Sequence, residues 1–309
     1  MSKTSDKKPP DRKNSPDKPL ETPGQQTPQP EEQIPEEQEP VEQVSVVIVS
    51  CNRIDALRAG LTALHAADQN PALQIIVVDN GSRDGSASLD TEFPATQFLR
   101  LPQNFGLTKA LNIGIRACDG TYVLFLHEDV EITPETVELL RAELEQRSDT
   151  GAACPLLVDA AGSPLPQVRD LPSPADPDPA FRPGRPGGDA PAVTGAAVMV
   201  RRFLLNALRR VDERYGNYGS DVELSMQVRR ANKKAVIVTG ATAIHRPENH
   251  PPRSEFIADR KLGTAAYLGK YFGFPAKLKY LTGAILGALF TFKLGQLRYL
   301  VSGQKIDGA

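Results

Sequence analysis

The chain has 309 residues, 40% hydrophobic and 24% charged, with a net charge of −2. That is a globular composition with room for one large or two ordinary domains, and so near-neutral a balance gives no reason to expect nucleic acid as a partner. The three cysteines, Cys51, Cys118 and Cys154, are odd in number and widely spaced. This argues against a disulfide framework or a zinc site and for free, mostly buried thiols in a reducing cytosol.

Residues 1–43 read as a disordered tail. The stretch holds nine of the 27 prolines, with Glu, Gln, Lys and Ser and almost nothing apolar. Such a segment cannot bury enough surface to offset its ordering entropy. Its bases lie in the first half and its glutamates in the second. It has no apolar segment of the kind that marks a secretory signal.

Val44 to Ser50 is a strand buried on both faces, and Ile54 to Ala67 an amphipathic helix with Leu57, Leu61 and Leu64 on one stripe. His65 falls beside that stripe, as a helix-surface histidine. Leu73 to Val78 is a second strand, ending in Asp79-Asn80-Gly81-Ser82. Asn-Gly can turn a hairpin, but the following residues look like a helix start. Thr96 to Leu101 is a third strand, and Asn104-Phe105-Gly106 opens a helix to about Ala117.

Tyr122 to Asp129 is the stretch on which the reading turns. Five apolar residues lead into His127-Glu128-Asp129, three candidate metal or proton ligands where a buried strand ends. Ligands of open α/β sheets bind beyond such ends, and an acidic cluster there suggests a divalent cation with hard oxygen ligands and a phosphate-bearing substrate. The plainer alternative is that Asp129 ends a strand and helps cap the next helix, which opens with Thr133-Pro134-Glu135. Strand and helix alternate from 44 to 147, the pattern of a mostly parallel sheet flanked by helices.

The rhythm breaks over 159–192, rich in Pro and Gly. A loop this long is expected to be functional or disordered, here a mobile flap near the substrate. Ala192 to Val200 resumes as one strand, followed by helices over Phe203 to Leu208 and Ser220 to Ala231 and a strand over Ala235 to Val238. Residues 247–309 read as a C-terminal helical segment. Its longest apolar run, Leu281 to Phe292, lies between Lys279 and Lys293. The run is too short to span a bilayer, which takes about 20 apolar residues, but with Lys270, Lys277 and Arg298 nearby it could lie on a membrane surface.

Five segments in order then resemble one known family: Val46 to Arg53, Val78 to Ser86, Asn104-Phe-Gly-Leu, Leu124 to Asp129 and Gly219-Ser-Asp-Val-Glu-Leu. They are similar to glycosyltransferase family 2, with the GT-A fold, and within it to the rhamnosyltransferase-like bacterial branch, over about 44–246. No Gly-x-Gly-x-x-Gly, phosphate-binding Gly-Lys-Ser/Thr loop or Gly-x-Ser-x-Gly elbow points elsewhere. The resemblance implies inverting transfer of a sugar from a nucleoside-diphosphate sugar to the hydroxyl of a saccharide or lipid-linked saccharide, in cell-envelope or exopolysaccharide assembly. It implies donor contacts by Ser50, Asn52, Asp79, Asn104 and Glu128, Mg²⁺ or Mn²⁺ held by Asp129 with His245 in reach, and Asp221 as the base. A cytoplasmic location follows, with peripheral association at the inner face of the membrane as an option.

The chemistry suits these residue types. A metal stabilises charge building on the leaving diphosphate, and a carboxylate takes the proton of a weakly nucleophilic hydroxyl. Asp221 and Glu223 do not share a helix face, so one of them can address the acceptor, and the resemblance selects Asp221. Departures from the family pattern are His127-Glu128 in the acidic motif, Cys51 where many members have Tyr, and Ser220 where a Glu precedes the base. They keep open a second reading, a catalytically silent module that binds a nucleotide or glycan or acts as a scaffold. A nucleotidyltransferase, sharing sheet and metal, is a third.

Overall fold

The computed structural model describes residues 44–66, 73–247 and 253–303. The expected tail, and Ala67 at the expected end of the first helix, lie outside them. The core begins as alternating strands and helices. β1 (Val44–Ser50) is buried at every position, because both its faces are covered. It feeds α1 (Ile54–Leu64), which buries Leu57, Leu61 and Leu64. β2 (Leu73–Asp79) runs parallel to β1, so Asn80-Gly81 turns no hairpin. After it come a 3₁₀ turn at Ser86–Ser88, α2 (Leu89–Glu92), β3 (Gln97–Arg100) and α3 (Leu107–Arg116). β4 (Tyr122–His127) lies beside β1 and is followed by the two-residue β5 (Val130–Glu131) and by α4 (Pro134–Gln146). The Thr133 hydroxyl, not Asp129, accepts from the Thr136 amide at the start of α4.

The remaining elements close the sheet. They are β6 (Thr150–Val158), β7 (Pro166–Arg169), β8 (Arg182–Pro183), β9 (Asp189–Ala190), β10 (Ala192–Val193), β11 (Ala197–Arg201), α5 (Arg202–Ala207), α6 (Ser220–Arg230) and β12 (Lys234–His245). Three helices follow, α7 (Ser254–Phe272), α8 (Phe274–Phe290) and α9 (Leu294–Ser302). The described residues form one sheet in the order β3-β2-β1-β4-β11-β6-β12-β5, with β9 on β12, and a small second sheet β10-β7-β8. β11 is antiparallel to both β4 and β6, the pairs β1–β2, β1–β4, β2–β3 and β6–β12 are parallel, and the short β5 and β9 lie antiparallel to β12. Apolar clusters fill both faces. Cys118 and Cys154 are buried free thiols, pushed by burial up to about 11 and about 12.

Three expectations are corrected. Residues 159–192, expected as one long loop, carry β7, β8 and β9. The Gln167 side chain replaces a strand there, accepting from the Leu157 amide at 2.7 Å and donating to the Pro155 carbonyl at 2.9 Å. Ala192 to Val200 is two strands, because the chain leaves β7 and rejoins the main sheet against β4, where the Ala196 carbonyl accepts from the His127 amide. The strand expected to stop at Val238 runs on to His245 through a bulge between Ile237 and Thr242, with Gly240 at φ +82°. His65 is half-buried, 3.0 Å from the Thr96 hydroxyl and stacked on Phe93.

Candidate active site

The carboxyl ends of β1 and β2 and the loop after β3 meet: the Asn80 amide donates to the Ser50 carbonyl, and the Phe105 amide to the Asn80 side chain. Asp79 is 6% exposed and accepts from the Ser82 amide at 2.9 Å. Asn52, at φ +55°, accepts from the Arg83 amide at 2.7 Å, and its own amide donates to the Ser82 hydroxyl at 3.0 Å. Asn104 accepts from the Asn80 side chain at 2.7 Å and from the Gly106 amide at 2.8 Å, and its Nδ2 points at Cys51 Sγ, 3.5 Å away. Gly81 lets the loops meet: at φ +83°, a Cβ there would lie 2.6 Å from the Gln103 carbonyl carbon. Ser50 lies beneath, with its hydroxyl buried and without a hydrogen-bond partner. So Ser50, Asn52, Asp79 and Asn104 come together, largely held by one another's loops.

A second cluster lies at the ends of β4 and β12. β5 pairs antiparallel with the end of β12, placing His245 opposite Val130. The ligating atoms of His127, Asp129 and His245 all lie within 4.8 Å of one another. His245 Nε2 is 3.3 Å from Asp129 Oδ1, yet that buried oxygen accepts no hydrogen bond of good geometry. Arg53 reaches Asp129 Oδ2 at 3.5 Å and Glu128 at 4.0 Å. Burial raises the Asp129 pKa, but His245, His127 and Arg53 outweigh it and hold the carboxyl below its usual range. Burial pushes the His127 pKa down, which keeps the imidazole neutral and able to ligate near pH 7. An orphaned carboxylate oxygen between two imidazoles fits a divalent cation. The donor set differs from the expected hard-oxygen cluster: Glu128 lies outside it, toward Arg53, and His127 joins it. His127 stands at the end of β4 and was readable as a ligand, whereas nothing in the sequence pairs Arg53 with Asp129.

His127 also lines a third feature, a cavity of about 230 Å³ shared with Asp221, Gly195, Arg169, Phe181 and Arg260. Asp221 stands in the first turn of α6, where Gly219 enters the helix at φ +96°. One of its oxygens accepts from the Val222 amide at 2.8 Å. Glu223 does not reach this cavity. It is 3% exposed, accepts from Tyr215, Gln227 and Tyr271 at 3.0, 2.8 and 2.9 Å, and is ion-paired with Lys270 of α7. The two carboxylates of this helix start therefore have separate surroundings. Asn52 and Arg53 are chain neighbours, and His127 belongs to the metal cluster and also lines the cavity.

Known proteins are similar to this chain in sequence and in fold. The sequence model described as Glycosyl transferase family 2 matches residues 45–209. The chain is 26% identical over 249 residues to N-acetylglucosaminyl-diphospho-decaprenol L-rhamnosyltransferase of Mycobacterium tuberculosis, covering 70% of this chain and 81% of the relative. Among solved structures it resembles a mannosyltransferase from Pyrobaculum calidifontis in complex with GDP-Man and Mn²⁺, with a TM-score of 0.53, 15% identity and coverage of 84% and 85%. It also resembles S. aureus TarS, with a TM-score of 0.55 and 15% identity over 74% of this chain and 40% of that one. The chain thus spans less than half the length of TarS. The structural likenesses carry the GT-A-like fold. The family match spans the strands that deliver Asn52, Asp79, Asn104 and Asp129 and covers more than half of the chain, so the protein belongs to glycosyl transferase family 2 and is a glycosyltransferase.

Proposed function

We propose that the protein transfers a sugar, with inversion, from a nucleoside-diphosphate sugar to a hydroxyl of a lipid-linked saccharide in cell-envelope assembly. The observation that carries this reading is the line of three features ending in Asp221. In it the nucleoside lies against the loops that carry Ser50, Asn52, Asp79 and Asn104. The diphosphate faces Arg53 and the cluster of His127, Asp129 and His245, and Glu128 orients Arg53. A bound divalent cation would stabilise the charge of the departing diphosphate. With two imidazoles among the three ligands, Mn²⁺ suits the set better than Mg²⁺, which prefers oxygen ligands throughout. Asp221, held at the helix start, takes the proton of the acceptor hydroxyl. With base and leaving group on opposite sides of the sugar, a single displacement inverts the anomeric centre.

The 247–309 segment supports the lipid-linked acceptor. α8 buries Ala284 and Ala288, while Phe274, Leu278, Leu286, Leu289 and Phe290 are exposed, as are Phe292 and Leu294 just beyond it. Phe290 and Phe292 are 77% and 85% exposed. Between Phe272 and Gly303 the chain carries Lys277, Lys279, Lys293 and Arg298 and no acidic residue. An apolar, basic face of this kind suits an anionic membrane surface. No helix among the described residues is long and apolar enough to cross a membrane, so contact at the surface is the reading.

A thermal-shift panel of UDP-, dTDP- and GDP-sugars with Mn²⁺, Mg²⁺ or EDTA tests the donor site. The expected result is stabilisation by one nucleotide class, larger with Mn²⁺ and lost in Asp129→Ala. Stabilisation by no donor, or stabilisation indifferent to metal, contradicts the proposal. Flotation with phosphatidylglycerol vesicles tests the membrane face, and the paired change Phe290→Ser and Phe292→Ser is expected to abolish binding.

A further inference from the structure

Arg169 is the least compensated charge near Asp221. It is 8% exposed, and its Nε is buried with no hydrogen-bond partner among the described residues. No carboxylate among the described residues forms an ion pair with it. Its one marked contact is the Phe181 ring, 4.6 Å from the guanidinium carbon. A guanidinium cannot lose its proton to escape burial, and a buried, unpaired charge is strongly unfavourable unless a partner completes it. Arg169 lines the cavity that holds Asp221, and Arg260 of α7, an exposed residue, lines the same cavity. Phe181 covers one face of the Arg169 guanidinium, and a ligand in the cavity can take its remaining N–H groups. Two cations against the single carboxylate of Asp221 leave the cavity short of negative charge.

We infer that Arg169 and Arg260 bind a phosphate or diphosphate group carried by the acceptor, next to the sugar hydroxyl that Asp221 deprotonates. The inference rests on the proposed role of Asp221. The donor diphosphate is the other source of such an anion, but it belongs at Arg53 and the His127–Asp129–His245 cluster. An anion entering beside Asp221 arrives with the acceptor. Guanidinium forks match phosphate oxygens in pairs, and the many apolar residues lining the cavity suit the start of a polyprenyl chain. The specificity therefore lies in the linkage as much as in the sugar: the acceptor is a polyprenyl-phosphate-linked saccharide, and a free saccharide is a poor substitute.

The experiment is titration calorimetry of the full chain in EDTA with geranyl diphosphate, and with geraniol as the uncharged control. In parallel, UDP and dTDP are titrated with Mn²⁺. Wild type is expected to bind geranyl diphosphate well above geraniol. Arg169→Gln and Arg260→Gln are each expected to weaken that binding about ten-fold or more and to leave nucleotide affinity within about two-fold. Arg260 is exposed, so its variant remains informative if Arg169→Gln folds poorly. Equal affinity for geranyl diphosphate and geraniol overturns the inference. So does diphosphate binding indifferent to both arginines, or a nucleotide affinity that falls as far as the diphosphate affinity. Absence of nucleotide binding in wild type, with arginine-dependent diphosphate binding intact, would instead defeat the donor assignment and leave the anion site standing.

Discussion

Replacing Glu223 separates structure from chemistry at the start of α6. Three hydrogen-bond donors and the Lys270 ammonium converge on its carboxylate. Removing one partner of a buried ion pair costs about 3–5 kcal/mol, and each buried donor left unsatisfied about 1–3 kcal/mol. Lys270 is a quarter exposed and keeps Asp212 at 3.1 Å, which discounts the ionic part. Glu223→Ala is therefore expected to lose about 3–5 kcal/mol. In a domain of this size that lowers the melting temperature by roughly 6–20 °C. Glu223→Gln keeps one acceptor oxygen toward Gln227 and Tyr271, and the Tyr215 hydroxyl can turn to accept from the new amide, so about 1–2 kcal/mol is expected. Urea unfolding gives the stability and donor turnover gives the function. Glu223→Gln is expected to unfold at lower urea and to retain most of its turnover at a temperature where it is folded. An unchanged unfolding midpoint with turnover lost would refute the reasoning and make Glu223 the base.

Other outcomes follow from local geometry. Gly81→Ala forces a Cβ to within 2.6 Å of the Gln103 backbone at a positive φ. It should separate the loops and weaken nucleotide binding at least about ten-fold while the core melts nearly as before, checked by calorimetry and thermal unfolding. Burial lowers the His65 pKa. The unfolded chain then binds more protons than the folded one between the folded value and about 6.5, so stability is full above about pH 6.5 and falls as the pH drops through that window. His65→Gln should flatten this part of the urea-midpoint profile between pH 5 and 7.5. His127→Ala and His245→Ala should each weaken Mn²⁺ binding, read by electron paramagnetic resonance of free Mn²⁺, by about ten-fold or more.

The parallel half of the fold was legible because β1, β2 and β4 are continuous apolar runs and their helices carry clear stripes. Ser50 and Asp79 stand at the last positions of β1 and β2, where the sequence shows an apolar run stopping. What escaped depends on pairings far apart in sequence. β5 is two residues long, below what periodicity can detect, yet it brings His245 to Asp129. The second half of β12 was hidden because Thr239-Gly240 reads as a stop where the strand only bulges. Residues 159–192 read as one long loop because their proline content masks strands whose backbone partners include a side chain, that of Gln167. The separate surroundings of Asp221 and Glu223 were half legible. Helix geometry separates their faces, but the partners that bury Glu223 include Lys270 and Tyr271, 47 and 48 residues away.

The measurement that bears most directly on the central claim is donor turnover and donor affinity in Asp221→Asn beside wild type, both with Mn²⁺. A positioned general base contributes about 10²–10⁴-fold to rate. Asp221→Asn should keep Mn²⁺-dependent donor binding within about two-fold and lose at least about a hundred-fold in nucleoside-diphosphate release in the presence of acceptor. Turnover that survives the substitution, or donor binding that disappears with it, would contradict the assignment of Asp221 as the base on the acceptor side.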